Sequence, residues 1–327
     1  THKALIFTWL SSQGRTDEAT KIYGYTRSWS KIGSAVSVIV ACVIVFVTSN
    51  FITVFFFAII PYTLNIINFL GYPKEIDCKV EEKTSLVDIV NHLRETLMIS
   101  VKHIGLRRLI FESMGFEGFF KASKDYLQPI LMAAALPLTA ALFADIHLSN
   151  AQKSVALIGP VFFMLFIMSA LASRNAYRLV AKAGHEDKTA GLLWGFCVLI
   201  FLVLLPAMYY EIHWIMITCF VVLYVIQNFW RPVLISRFYA HSDEAKVATV
   251  LSIESQAKSL STMIIAPVLG LAIDLARKYG IGASAFWPVA VFGLLIALGF
   301  LLTAIKSEQL KKGKKWPKMK GVITYRK

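Results

Sequence analysis

Residues 32–73 contain no charged side chain. A soluble domain interleaves its charges more closely, whereas a helix needs about 20 apolar residues to cross a hydrocarbon core. The polar residues Thr48, Ser49 and Asn50 divide the run, so two crossings joined by a hairpin are expected, near 32–49 and 51–70. Apolar stretches at 154–173, 189–210, 212–230 and 279–305 repeat the pattern. With 57% hydrophobic and 17% charged residues, the chain reads as an all-α, polytopic membrane protein. We assign about eight transmembrane helices, near 32–49, 51–70, 109–146, 151–173, 190–209, 212–230, 248–273 and 284–305.

A formal charge of +14 could point to nucleic acid, but the placement of the basic residues argues otherwise. Only Lys153, Arg277 and Lys278 fall in the segments on one side, and Lys121, Lys124 and Lys258 fall within spans. All other lysines and arginines lie in the opposite segments: 1–31, 72–108, 174–188, 231–246 and 306–327. Such asymmetry marks the cytoplasmic side, with both ends of this chain inside. The basic excess is therefore topological, and no nucleic-acid partner is expected.

The third span concentrates the ionisable residues. On a helical wheel Ser113, Glu117, Lys121, Lys124 and Gln128 share one narrow face. Asp125 lies beside them in sequence. Charges on a membrane helix are tolerated when they face a bundle interior or a wet cavity, so this stripe is expected to line a solute or proton path. The competing reading is a juxtamembrane amphipathic helix with its charges in cytoplasmic water. An unbroken helix over 109–146 would run about 57 Å at 1.5 Å per residue, nearly twice the hydrocarbon thickness. Pro129 and Pro137 can kink it, and Gly115 and Gly118 soften it. Within the seventh span Glu254 and Lys258 stand four apart, a spacing that permits mutual neutralisation. Ser252, Ser255 and Ser259 lie roughly opposite and suit close helix packing. Glu117 and Asp125 are the carboxylates best placed for proton uptake, with Glu254 as the alternative.

Other chemistries lack their signatures. There is no phosphate-cradling glycine loop ending in Lys-Ser or Lys-Thr, so an ATP-driven motor is excluded. His185-Glu186 has no second histidine four residues on, and no metal site or cofactor is expected. Cys42, Cys197 and Cys219 lie in spans and Cys78 in a loop, so no disulfide framework is implied. Between spans two and three, Leu86, Val90, Leu93, Leu97, Val101 and Ile104 recur at helical spacing. An amphipathic helix on the cytoplasmic interface is expected there.

A weak repeat ties the two ends together. Asp17-Glu18-Ala19 recurs as Asp243-Glu244-Ala245, and each copy enters a span whose start is rich in serine. If spans one and seven correspond, twelve crossings in two halves are implied, the first four lying before residue 1. The chain begins without Met, in a basic loop, which fits a fragment.

At the end of the fourth span, Ser169-Ala170-Leu171-Ala172-Ser173-Arg174-Asn175-Ala176-Tyr177-Arg178 resembles the signature loop of the major facilitator superfamily. Arg174 and Arg178 match its basic positions and Ala176 its small one, while Ser173 stands at its acidic position. Gln227-Asn228-Phe229-Trp230-Arg231-Pro232 followed by Ala248-Thr249-Val250-Leu251-Ser252 looks like the junction of that family's tenth and eleventh helices. Lys124-Asp125-Tyr126-Leu127-Gln128-Pro129 is similar to its seventh. The resemblance implies helices five to twelve of a bacterial-type transporter. Residues 1–71 would be the remnant of the first bundle, 72–105 the central loop, 106–305 the second bundle and 306–327 a basic tail. It implies alternating-access transport of a small solute, coupled to protons, by a monomer in the bacterial inner (plasma) membrane. Arg174, Arg178 and Arg231 would hold the cytoplasmic gate. Glu117, Lys121, Lys124, Asp125, Gln128, Glu254 and Lys258 would line the path. The family's antiporters often carry a proline-containing glycine motif in the fifth helix, and here Gly33 is followed by no proline. Catalysis is not expected. The competing classes are an integral membrane enzyme or lipid flippase, and a transporter-like sensor without flux.

Overall fold

A backbone in hydrocarbon must satisfy its own hydrogen bonds, and a helix does so within one segment. The computed structural model describes residues 13–71, 102–133, 148–242 and 247–313, with residues 6, 9–11, 94, 98 and 100 beside them. Among these residues every regular element is helical. A short turn, Thr16–Glu18, leads into α1 (Ala19–Thr48), followed by α2 (Ile52–Leu70, interrupted by a single turn residue, Ala58). Then come α3 (residues 104–133), α4 (Asn150–Ala183), α5 (Glu186–Tyr209), α6 (His213–Ala240), α7 (Val247–Lys278) and α8 (Trp287–Gly313). All but α3 are long and apolar enough to cross a membrane. The chain is an all-α, polytopic integral membrane protein.

The helix ends depart from the apolar runs in two places that matter. α1 begins at Ala19 and not near 32, because no proline interrupts residues 19–31 and charge alone does not stop a helix. Arg27 and Lys31 are therefore helical. α4 continues to Ala183, so Arg174 and Arg178 sit on helix where a loop was expected. It stops at Gly184, whose φ of 85° suits glycine and returns its N–H to the Val180 carbonyl. The first hairpin turns at Ser49, with φ 55°, and the Asn50 side chain accepts the Ile52 N–H at 2.9 Å. The segment 86–104, expected to be an interfacial helix, lies largely outside the described residues. The same holds for the second acidic copy at 243–245, the outer part of the third span at 134–147, and the tail beyond 313.

α1 runs along α4, and both are pared down where they meet. A Cβ on Gly24 would collide with the Ser173 backbone, and one on Gly159 with the Cys42 sulfur. Ala35 of α1 is fully buried as well. Without a hydrophobic force between helices in lipid, such close backbone approach is what holds them together. α5 packs between α6 and α8, and α3 lies against α7. Phe116 and the indoles of Trp194 and Trp230 form the aromatic centre, the two indoles 5.1 Å apart. α2 buries no residue and turns Phe55, Phe56 and Leu70 outward, as lipid contact requires.

Gly118 of α3 fixes the distance to α7. An added Cβ would lie 2.7 Å from the Ser261 Cβ, closer than carbon atoms pack. Gly118→Val is expected to lower stability by about 1–3 kcal/mol or more through overpacking. Ser261→Gly in the same chain should return part of the loss, as read by thermal unfolding in detergent.

Candidate functional site

α3 is irregular where its charges lie. Met114–Gly118 form a π turn, and Lys124–Tyr126 a 3-10 turn. A π turn breaks the usual ladder of backbone bonds and is frequent at functional positions. α7 supplies extra donors: the Ser261 hydroxyl reaches the Met114 carbonyl at 2.8 Å, and the Thr262 hydroxyl reaches that of Gly118 at 3.1 Å. The distorted turn that carries Glu117 is thus pinned from outside.

Two ionic clusters follow along α6. In the first, Arg237 donates to Glu112 on α3 and, at 2.9 Å, to Asp187 on α5, while Arg108 reaches Glu112 at 2.9 Å. In the second, Arg231 grips both oxygens of Glu254 on α7, at 2.6 and 3.0 Å. Ser113 donates to the same carboxylate. Arg231 also lies 4.0 Å from Glu117, whose other oxygen accepts from the Gln227 amide at 3.1 Å. Arg231 and Glu254 are 2% and 0% exposed. Charges so deep persist only when paired and hydrogen-bonded, and here both conditions are met.

Beside the second cluster opens a cavity of about 450 Å³, within the range of about 300–1,000 Å³ usual for small-molecule sites. α1 contributes Arg27 and Lys31, and α3 contributes Glu117, Phe120, Lys121 and Lys124. α4 adds Phe162 and Phe166, α6 adds Tyr224 and Gln227, and α7 adds Ser255, Lys258 and Ser259. Lys31, Phe166 and Gln227 lie near the middle of their helices, so the cavity sits away from both helix ends.

The cations are held differently. Arg27 donates to the Asn228 and Gln227 side-chain oxygens, at 3.3 and 3.2 Å. Lys31 lies over the Phe166 ring, 5.3 Å from its centroid. Lys124 bonds its neighbour Asp125 at 2.8 Å. Lys258 makes no ion pair with Glu254, because the planar Arg231 fork already occupies that carboxylate.

The residues singled out from sequence therefore separate. Glu117, Lys121, Lys124 and Lys258 meet in the cavity. Glu254 stands behind the wall, in the buried pair. Asp125 and Gln128 are exposed and do not line it. Arg231, grouped with the gate arginines, is the partner of Glu254. Arg174 stacks on Tyr25 of α1, 4.5 Å from the ring centroid, and bonds its hydroxyl across the α1–α4 seam. Arg178 contacts its own neighbour, Tyr177. On α3, Glu112, Ser113 and Glu117 are buried against neighbouring helices, whereas Lys121 and Asp125 are exposed.

Sequence reasoning missed Arg27, Lys31, Glu112 and Arg237 as site or network members. The available signal was the spacing of Arg27 and Lys31, one helical turn apart immediately before an apolar run. Comparisons of the chain with protein-family models, with curated proteins and with solved structures each return no match.

Proposed function

We propose that the protein is a secondary active transporter that moves a small solute by alternating access, with protons as the coupling ion. The observation that carries this reading is the charged cavity between α3 and four helices long and apolar enough to cross a membrane, α1, α4, α6 and α7, near the middle of those helices. Midplane sites between helical halves, lined by irregular helices, are how such transporters bind their cargo. In this reading α1 and α2 belong to one bundle and α3–α8 to the other, as the major facilitator superfamily resemblance implies. The membrane is a bacterial plasma membrane with both ends of the chain in the cytoplasm.

The mechanism follows from which contacts are fixed and which can exchange. Arg231–Glu254 and Arg237–Glu112 tie α3, α6 and α7 into one body. Among the described residues fewer polar contacts cross to α1, chiefly Arg27 with Gln227 and Asn228, Arg174 with Tyr25, and Gln152 with the Phe46 carbonyl. Those are the bonds that rocking would break and remake. Glu117 is the carboxylate that faces the cavity. When it takes a proton, the attraction it exerts on Arg231 and on the cavity lysines is lost, and the cavity becomes more positive. Proton and solute occupancy are thereby linked through one charge.

Reconstitution in proteoliposomes tests the reading. A solute taken up under an imposed pH gradient, and released when the gradient is collapsed, is the expected result. No flux across a broad solute panel, with the protein folded and oriented, would instead favour a sensor. Headgroup-labelled lipid crossing the bilayer would favour a flippase.

A further inference from the structure

The cavity is strongly unbalanced in charge. Arg27, Lys31, Lys121, Lys124 and Lys258 line it, and Glu117 is the one carboxylate among the lining residues. Glu117 is itself shared with Gln227 and approached by Arg231. Asp125 offsets Lys124 only at the exposed side. The side chains of Lys121 and Lys258 have no ion-pair partner among the described residues, and they approach from α3 and α7. Cations gathered from three helices beside low-dielectric walls repel one another and raise the free energy of the empty site. An anion that enters removes this repulsion and gives the ammonium groups charge-assisted hydrogen bonds.

The walls narrow the class further. Phe120, Phe162, Phe166 and Tyr224 line the same cavity, and its volume exceeds what a bare inorganic ion fills. We infer that the cavity takes a multiply charged organic anion, a phosphate ester or polycarboxylate with an apolar or aromatic body. The anionic group would lie between Lys31, Lys121 and Lys258, and the apolar body against the phenylalanines. This rests on reading the cavity as the solute site, and it names the class of cargo.

The test measures binding separately from flux, on the full-length protein in detergent. Phenyl phosphate and benzene-1,2-dicarboxylate are the anionic probes. Phenylethylammonium and benzyl alcohol match the aromatic body without the negative charge, and inorganic phosphate matches the charge without the body. Thermal stabilisation should follow the two aromatic anions, weakly follow inorganic phosphate, and be absent with the other two. Lys121→Gln and Lys258→Gln should each weaken binding by about tenfold or more, the scale of one charged hydrogen bond. Lys258→Arg, which keeps the charge, should retain most of it. The melting temperature of each ligand-free variant checks that it is folded.

Equal stabilisation by phenylethylammonium or benzyl alcohol would overturn the assignment. So would the absence of stabilisation by either aromatic anion in folded wild-type protein, or anion binding that ignores both lysine variants. Anion binding without flux in proteoliposomes would leave the anion site standing and remove the transport reading. Flux of a cation through the cavity would do the reverse.

Discussion

Arg231→Met is expected to be the most damaging single substitution in the chain. It strips Glu254 of both guanidinium bonds while leaving the carboxylate with 0% exposure. Breaking a buried pair by removing one partner costs about 3–5 kcal/mol, because the remaining charge is uncompensated. Ser113 alone cannot replace the lost cation. The double substitution Arg231→Met with Glu254→Leu removes the stranded charge and should recover most of the stability. Unfolding of the detergent-solubilised protein, followed for both single variants and the double, separates the outcomes. Equal losses in single and double variants would mean that the pair carries no coupling, and that packing at α6 and α7 is what was damaged.

Glu117→Gln is expected to have the largest effect on activity with little effect on the fold. The amide keeps the shape and can still bond Gln227, but it neither takes up nor releases a proton. Gradient-driven uptake should fall by about two orders of magnitude, the scale set by removing an essential proton-transfer group. Exchange of labelled for unlabelled solute needs no net proton movement and should survive. Asp125→Asn provides the contrast, since Asp125 is exposed and bonded only to Lys124 among the described residues. It should leave uptake within a few-fold of wild type. Loss of exchange together with uptake in Glu117→Gln would show that the residue shapes the solute site and does not couple protons.

Much of the helical framework was legible in the sequence because apolar runs translate directly into helices in a membrane. The site was legible in part, and α3 shows why. The wheel assumes about 100° per residue throughout, which holds as far as Ser113. The π turn at Met114–Gly118 and the 3-10 turn at Lys124–Tyr126 change that angle. Glu117, Lys121 and Lys124 still reach the cavity, whereas Gln128, beyond the second distortion, does not, and Asp125 was never on that face. Arg27 and Lys31 were hidden for a different reason: counting basic residues as cytoplasmic loop assigns them to water before their helix is known. The buried pairs were hidden by distance along the chain. Glu112 finds Arg237, and Glu117 finds Gln227, across more than a hundred positions. The local pairing that spacing offered, Glu254 with Lys258, loses to the two-pronged geometry of Arg231.

The claim on which the rest depends is that the cavity beside Glu117 is shared between two bodies and opens to one side of the membrane at a time. The direct measurement is labelling of single cysteines at positions 255 and 259, both on the cavity wall, after the four native cysteines are replaced. A membrane-impermeant thiol reagent is applied from each side, with and without phenyl phosphate and a pH gradient. Access that switches sides with these conditions, at both positions together, is expected of a rocking transporter. Access from one side only, unchanged by solute or gradient, would contradict that claim.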